Sequence, residues 1–445
     1  MIDLRGKKVL VVGLGSSGRS SAELLQSKGA LVKITEGSDS DPIRKNLERV
    51  KDLAAGWEIG GHTEKFCLDT DLVVTSPGVD PQALPLDAAK AGKIPVIGEL
   101  ELGYLFTRAP IIAVTGTNGK STTTKLIGRI LSMSGRDAVV CGNIGNPLTG
   151  EVENLREDSI AVVEVSSFQL ETVKRFRPFI AVLLNISEDH YDRHGDLARY
   201  TDEKFRIFAN QLSDDWAVLH SSFRKEERTG AISSRKLFFG KEGPDMVIGD
   251  GTLVTPEGVL LKESDMALKG VHNLENVASA AIAARIMGVD DGCIKEAVRG
   301  FSGLDHRFQT VSQIDGVRYI DDSKATNIDA TQRALESVEG KVILIAGGRD
   351  KGGDYRSILR PVREKVKRIV AIGEAADKIN EAFSSYIPVD SAKDMSEAIR
   401  VSAECAAAGD TVLLSPMCSS FDMFTDYKHR GVVFQREVRR MTEEK

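Results

Sequence analysis

No apolar run in this 445-residue sequence approaches the roughly 18 residues needed to cross a bilayer. Val9-Leu10-Val11-Val12 follows Arg5, Lys7 and Lys8, but glycines interrupt it at once. It is too short for the core of a secretory signal and reads as a buried strand. Cysteine is sparse. Cys67, Cys141, Cys293, Cys405 and Cys418 are odd in number and scattered, and no two have CxxC spacing. That pattern argues against a disulfide framework or a zinc site and for reduced thiols in a cytoplasmic protein. The seven histidines contain no HExxH pattern. Basic charge is not in excess, and a net charge of −6 argues against a protein whose main work is to hold nucleic acid. There is no repeat of solenoid period and no low-complexity linker.

What is present is ordinary for a soluble globular chain: 41% hydrophobic and 28% charged residues. At roughly 100–200 residues per domain the length implies about three domains. Strand-like and helix-like patterns alternate almost throughout, which predicts parallel sheets with helices on their faces. Three series restart along the chain. The first has strands at Lys8–Val12, Leu31–Thr35, Asp71–Thr75 and Pro95–Gly98. The second has strands at Ile111–Val114, Ile160–Val165, Phe179–Leu184, Trp216–Leu219 and Lys236–Phe239, then a helix after His272-Asn273 through Ala278–Ala284. The third begins after Gly303, with strands at Val317–Ile320, Lys341–Ala346, Arg368–Ile372 and Thr411–Leu414.

The strongest local signal is Thr115-Gly116-Thr117-Asn118-Gly119-Lys120-Ser121-Thr122, after one apolar strand and before a helical pattern. Glycines let backbone N–H groups turn around a phosphate chain, and a helix N-terminus adds partial positive charge. Lys120 can reach the β- and γ-phosphates of a nucleotide, and the Ser121 hydroxyl can hold Mg²⁺. Val114 stands where the full GxxxxGK[ST] pattern has its first glycine, so this is a shorter GxxGKS variant. The bland alternative is a strand-to-helix turn that binds nothing. Glu164, inside the apolar strand Ala161-Val162-Val163-Glu164-Val165, is costly there unless paired or metal-bound. Beside a phosphate loop it reads as a Mg²⁺ ligand, although a structural ion pair would also explain it. His190 follows the next strand, at the end where ligands bind in such sheets; alone in a polar loop it would simply be solvated.

Gly13-x-Gly15-x-x-Gly18 follows the first strand, and Glu36 ends the second. Read alone, this is close to a dinucleotide-binding fingerprint with an acid placed for ribose hydroxyls, and it suggests an NAD-dependent dehydrogenase. That rival leaves the phosphate loop and everything from His190 onward unexplained. A non-catalytic nucleotide-binding regulator is a further alternative, which loss of Lys120, Glu164 or His190 would favour; all three are present.

The ordered set TGTNGKST, EVSSFQL, NISEDHYDRHG, HNLEN, LDHRFQ, DDSKATN, GGRDKGG and SPMCSSFDMF resembles the Mur ligases over nearly the whole chain. The resemblance implies an α/β protein of three domains. These are a Rossmann-like N-terminal domain (1–98) for a UDP-linked substrate, a P-loop ATPase-type central domain (99–303), and a Rossmann-like C-terminal domain (304–445) that binds the amino acid and closes on ATP. The segment Leu414–Asp422 and the opening glycine pattern resemble the D-glutamate-adding member; the L-alanine-adding member is the alternative. The implied reaction is ATP-dependent addition of D-glutamate to UDP-N-acetylmuramoyl-L-alanine through an acyl phosphate, in peptidoglycan precursor synthesis. It implies a cytoplasmic monomer without nucleic-acid or membrane partners.

Residue by residue, the resemblance assigns ATP to Gly116–Thr122, Asn276 (adenine), Arg307 (phosphates) and Asp322 (ribose). Two Mg²⁺ sites fall to Ser121 and Glu164 and to His190. Lys204 lies on a helical stretch where a solvated lysine is the bland reading, and the resemblance makes it a CO₂-carbamylated metal ligand. Lys324 and Thr326 fall near the transferred groups and the amino acid, and Lys351 and Ser420 hold the incoming glutamate, with Tyr427 where a phenylalanine is expected. The UDP moiety falls to Gly15, Ser16, Ser17, Glu36 and the Ser76-Pro77-Gly78 loop, with Asn143 also on this substrate. Some D-glutamate-adding members carry an arginine just after the second strand; here the segment is Thr35-Glu36-Gly37-Ser38.

Overall fold

The computed structural model describes residues 3–268 and 270–443, which form three sheets and two compact units. The first sheet contains β1 (Lys8–Val12), β2 (Leu31–Glu36), β3 (Gly56–Ile59), β4 (Leu72–Thr75) and β5 (Val96–Gly98), ordered β3-β2-β1-β4-β5 and parallel throughout. Val9, Leu10, Val11 and Val12 are all buried, as expected of a parallel strand covered on both faces.

The second sheet contains β6 (Ile111–Thr115), β7 (Ala138–Gly142), β8 (Ile160–Glu164), β9 (Ile180–Leu183), β10 (Trp216–His220), β11 (Arg235–Gly240), β12 (Met246–Gly249), β13 (Thr252–Thr255) and β14 (Gly258–Lys262). Their order is β14-β13-β12-β11-β10-β9-β6-β8-β7. The strand carrying the phosphate loop is thus flanked by the strands that end at Glu164 and before Asn185. The third sheet contains β15 (Gln309–Ile314), β16 (Val317–Asp321), β17 (Val342–Gly347), β18 (Val366–Ile372), β19 (Val389–Ala392) and β20 (Thr411–Leu414), ordered β15-β16-β20-β17-β18-β19.

Every expected strand is present, with ends shifted by at most two residues. The expectation of parallel pairing throughout needs correction at two edges. β12, β13 and β14 form an antiparallel meander, and β15 pairs antiparallel with β16. Short connections cause this: two residues between successive strands leave no room for the helical crossover that parallel pairing requires.

One unit comprises Met1–Asn185, Thr201–Asp265 and Leu274–Gly300, and so holds the first two sheets. The other comprises Ile186–Tyr200, Met266–Asn273 and Phe301–Lys445. The His190 loop, expected within 99–303, groups with the third sheet because Asp189 bonds Lys351 and Asn327.

Candidate functional sites

The phosphate loop bridges β6 and the helix Lys120–Met133. Gly119, at φ +85°, has Asn276 Oδ1 only 2.1 Å from where a Cβ would stand, so the turn closes directly on the helix Val271–Ile286. The loop is pinned to the end of β9: Thr117 N–H donates to Asn185 O (2.9 Å) and Asn118 N–H to Asn185 Oδ1 (2.8 Å). Lys120 Nζ lies folded over the turn, donating to the carbonyls of Gly116 and Thr117 at 2.7 Å each. Ser121 and Thr122 are buried in the first helical turn.

Glu164 ends β8 opposite Val114 of β6 and is 1% exposed. Asn143 Nδ2 donates to its Oε1 at 2.8 Å. Its Oε2 is buried and has no hydrogen-bond partner among the described residues. An unsatisfied buried carboxylate oxygen costs several kcal/mol, and a hard cation beside the loop is a chemically apt partner for it. Ser121 and Glu164 thus fit a Mg²⁺ ion.

Lys204 corrects the solvated-lysine reading. It is 1% exposed, and its Nζ donates to Gly116 O at 2.9 Å. The helix Leu197–Phe205 presents it to the carbonyl at the root of the phosphate loop.

The opening glycine turn belongs to the same unit. Helix Ser16–Ser27 has Gly15 as its N-cap, with no side chain capping the first N–H groups, so they remain available to an anion. A Cβ on Gly18 would lie 1.8 Å from Gly13 O, which makes glycine obligatory where helix and strand touch. Ser76 Oγ donates to Gly13 O at 3.1 Å. A cavity of about 540 Å³ opens here, lined by Gly15, Ser16, Ser17, Glu36, Ser76, Pro77, Gly78 and Asn143, as expected, and also by His62. Glu36 is more occupied than expected: its oxygens accept from Leu14 N–H (2.7 Å) and Ser38 N–H (2.8 Å), so it braces the turn.

In the other unit, a cavity of about 180 Å³ is lined by His190, Asp189, Asn327, Asp350 and Lys351, among others. His190 takes a left-handed backbone, φ +55°, and its Nε2 stands 3.6 Å from Asp189 Oδ2. Asp189 accepts from Lys351 Nζ (3.1 Å) and Asn327 Nδ2 (3.0 Å). Burial would raise its pKa, but Lys351, His190 and the hydrogen bonds outweigh that and lower it to about 2.

Asp322 is buried, accepting from Phe308 N–H (3.1 Å) and Ser415 Oγ–H (3.0 Å). Burial raises its pKa to about 7, against those hydrogen bonds and the Arg307 charge. Lys324 Nζ sits 3.9 Å over the Tyr427 ring, a cation–π contact. Ser420 is 2% exposed, and its carbonyl accepts from Phe424 N–H at 2.8 Å. Thr326 is half-buried and donates its N–H to Lys324 O at 2.8 Å. Ser420, Thr326 and Tyr427 do not line the cavity that holds Lys351.

Several contributors were not singled out from sequence. Asp189 and Asn327 lie within the quoted motifs, but their pairing spans 138 residues. Arg430 gave no local signal. It is fully buried and donates to the carbonyls of Cys418 and Ser323, tying the SPMCSSF and DDSK loops together.

These features define a phosphate-loop α/β protein with an accessory glycine-turn domain. Family models match it in three blocks. They are the Mur ligase MurD-like N-terminal domain at residues 7–98, the Mur ligase middle domain at 114–284, and the Mur ligase glutamate ligase domain at 306–418. The UDP-N-acetylmuramoylalanine--D-glutamate ligase of Desulfosudis oleivorans is 44% identical, covering 99% of this chain and 98% of that one. Its counterpart in Pelotomaculum thermopropionicum is 43% identical, covering 98% of each. Among solved structures, UDP-N-acetylmuramate-alanine ligase from Thermotoga maritima shares the fold, with TM-score 0.63 at 19% identity over 99% of this chain and 100% of that one. The chain belongs to the Mur ligase family.

Proposed function

We propose that this protein joins D-glutamate to UDP-N-acetylmuramoyl-L-alanine at the expense of ATP, as a monomer in the cytoplasm. The observation that carries the chemistry is the buried, half-satisfied Glu164 beside the phosphate loop. The choice of substrates rests on relatives of that printed activity at 43–44% identity over essentially full length.

A carboxylate is a poor electrophile. Transfer of the γ-phosphoryl group of ATP to the substrate carboxylate gives an acyl phosphate, and the amine of D-glutamate then displaces phosphate. Both steps bring anions together, so fixed positive charge is the main requirement. Lys120 leaves its two loop carbonyls for the β- and γ-phosphates. Arg307 serves phosphates, Asn276 the adenine and Asp322 the ribose. Lys351 and Ser420 hold the glutamate carboxylate, with Tyr427 against the amino acid and Lys324 and Thr326 near the transferred groups. Mg²⁺, when bound, neutralises phosphate oxygens. Ser121 and Glu164 hold one ion, and His190 serves a second. Lys204, once carbamylated, becomes a carboxylate-like metal ligand; its burial beside Gly116 O at the root of the phosphate loop supports this.

The test is phosphate release from ATP and Mg²⁺ with UDP-N-acetylmuramoyl-L-alanine, offering D-glutamate, L-glutamate and L-alanine separately, and L-alanine with unsubstituted UDP-N-acetylmuramate. Release that requires D-glutamate and the alanyl nucleotide is expected. Release only with L-alanine and the unsubstituted nucleotide would move the protein to the preceding ligation. For Lys204, labelled CO₂ should give a carbamate ¹³C resonance that Lys204→Ala lacks; a Lys204→Ala protein with full activity would rule the role out.

A further inference from the structure

We infer that His62 reads the base of the uridine nucleotide, an assignment that rests on the function proposed above. His62 is the one histidine, and the one side chain able to carry a positive charge, among the described residues lining the cavity at the opening glycine turn. Glu36, the acid expected to meet the nucleoside, is already bonded to Leu14 N–H and Ser38 N–H.

The ring is held from behind in one tautomer. Thr35 Oγ1 lies 2.8 Å from Glu58 Oε1 and 2.6 Å from His62 Nδ1. Glu58 also accepts from Thr63 N–H (3.0 Å) and Thr63 Oγ–H (2.8 Å), so it acts as a pure acceptor. The Thr35 hydroxyl has one proton, and Glu58 takes it. His62 must then donate Nδ1–H to Thr35 Oγ1. In the neutral ring this leaves Nε2 as a bare acceptor, and no described protein group bonds it. Gly37 makes room for it: a Cβ there would stand 3.2 Å from His62 Nε2.

An aimed acceptor of this kind selects a donor. Uracil carries N3–H at its pairing edge, whereas cytosine has a lone pair at the same atom. Nε2 therefore attracts the first and repels the second. Sites built around such a hydrogen bond reject analogues lacking it far better than apolar pockets reject a size difference.

The test compares UDP with CDP as inhibitors competing with UDP-N-acetylmuramoyl-L-alanine, backed by calorimetry of both nucleotides. The wild type should prefer UDP by about tenfold or more, the scale of one well-placed hydrogen bond plus the penalty for an unmatched acceptor. His62→Ala should erase the preference and raise KM for the uridine substrate by a similar factor, with KM for ATP unchanged. His62→Asn keeps a group near Thr35 but loses the reach of Nε2, so it should behave as His62→Ala while melting closer to wild type. His62→Gln reaches the Nε2 position and should restore part of the preference. UDP and CDP inhibiting the wild type alike, or His62→Asn keeping the preference, would overturn the assignment. Ligation with equal inhibition by both nucleotides removes the His62 reading alone. UDP-selective binding without ligation removes the ligase reading and leaves His62 standing.

Discussion

Replacing Asp189 by Asn tests whether its ion pair with Lys351 stabilises the unit built on the third sheet. Asp189 side-chain exposure is 7% and that of Lys351 is 18%, so water screens the pair little. Lowering the carboxyl from 3.8 to about 2 is worth about 2 kcal/mol, at about 1.4 kcal/mol per pH unit. Asn keeps the shape and an acceptor for Asn327 but leaves the ammonium unmatched. Because Lys351 keeps some contact with water, the loss should fall below the roughly 3–5 kcal/mol seen when one partner of a fully buried pair is removed. The sign with pH follows from the depressed carboxyl. Its stabilisation is complete above the unfolded value of 3.8 and is lost as pH falls from there towards 2. The gap between wild type and Asp189→Asn should thus be flat from neutrality to about pH 5 and shrink below that. Trp57 and Trp216, the two tryptophans, both lie in the other unit, so neither is a local reporter of this pair. Native-state hydrogen exchange on peptides covering β17 and β20 reads it directly. A gap below about 0.5 kcal/mol at neutral pH, within the range of ordinary surface changes, or one that widens on acidification, would refute the reasoning.

Two further outcomes are expected. Glu164→Gln removes a charge whose Oε2 no described protein group balances. Its melting temperature should hold or rise while Mg²⁺-dependent phosphate release falls at least ~10²-fold; a marked loss of melting temperature would make Glu164 structural. Gly119→Ala must place a Cβ 2.1 Å from Asn276 Oδ1 at φ +85°, adding the roughly 1–2 kcal/mol of left-handed backbone strain to a steric clash. Its affinity for a fluorescent ATP analogue should drop about tenfold or more, and an unchanged Kd would mean that the turn yields freely.

The phosphate loop was legible in the sequence because it is a local device. A strand, two glycines and a helix start within a dozen residues create its turn, its open N–H groups and its lysine. The same holds for Gly13, Gly15 and Gly18. β1, β6 and β17 were legible because strands buried on both faces are continuously apolar. The edges were less so: β3 is only half-buried, and the β12–β14 meander is too short to show a period.

What lay beyond the sequence is where charge becomes buried and what then faces it. Lys204 is one lysine on an amphipathic helix until the root of the phosphate loop closes over it. Glu164 could have been an ion pair; only the packed sheet shows one oxygen met by Asn143 and the other by no hydrogen-bond partner among the described residues. Asp189 and Lys351 are 162 residues apart, and the tautomer of His62 depends on Thr35 and Glu58 from two neighbouring strands. Sequence pattern determines conformation over a few residues, where sterics and backbone hydrogen bonds act. The protonation, pairing and reach of a side chain depend on desolvation by distant segments, and only the tertiary structure decides which segments those are.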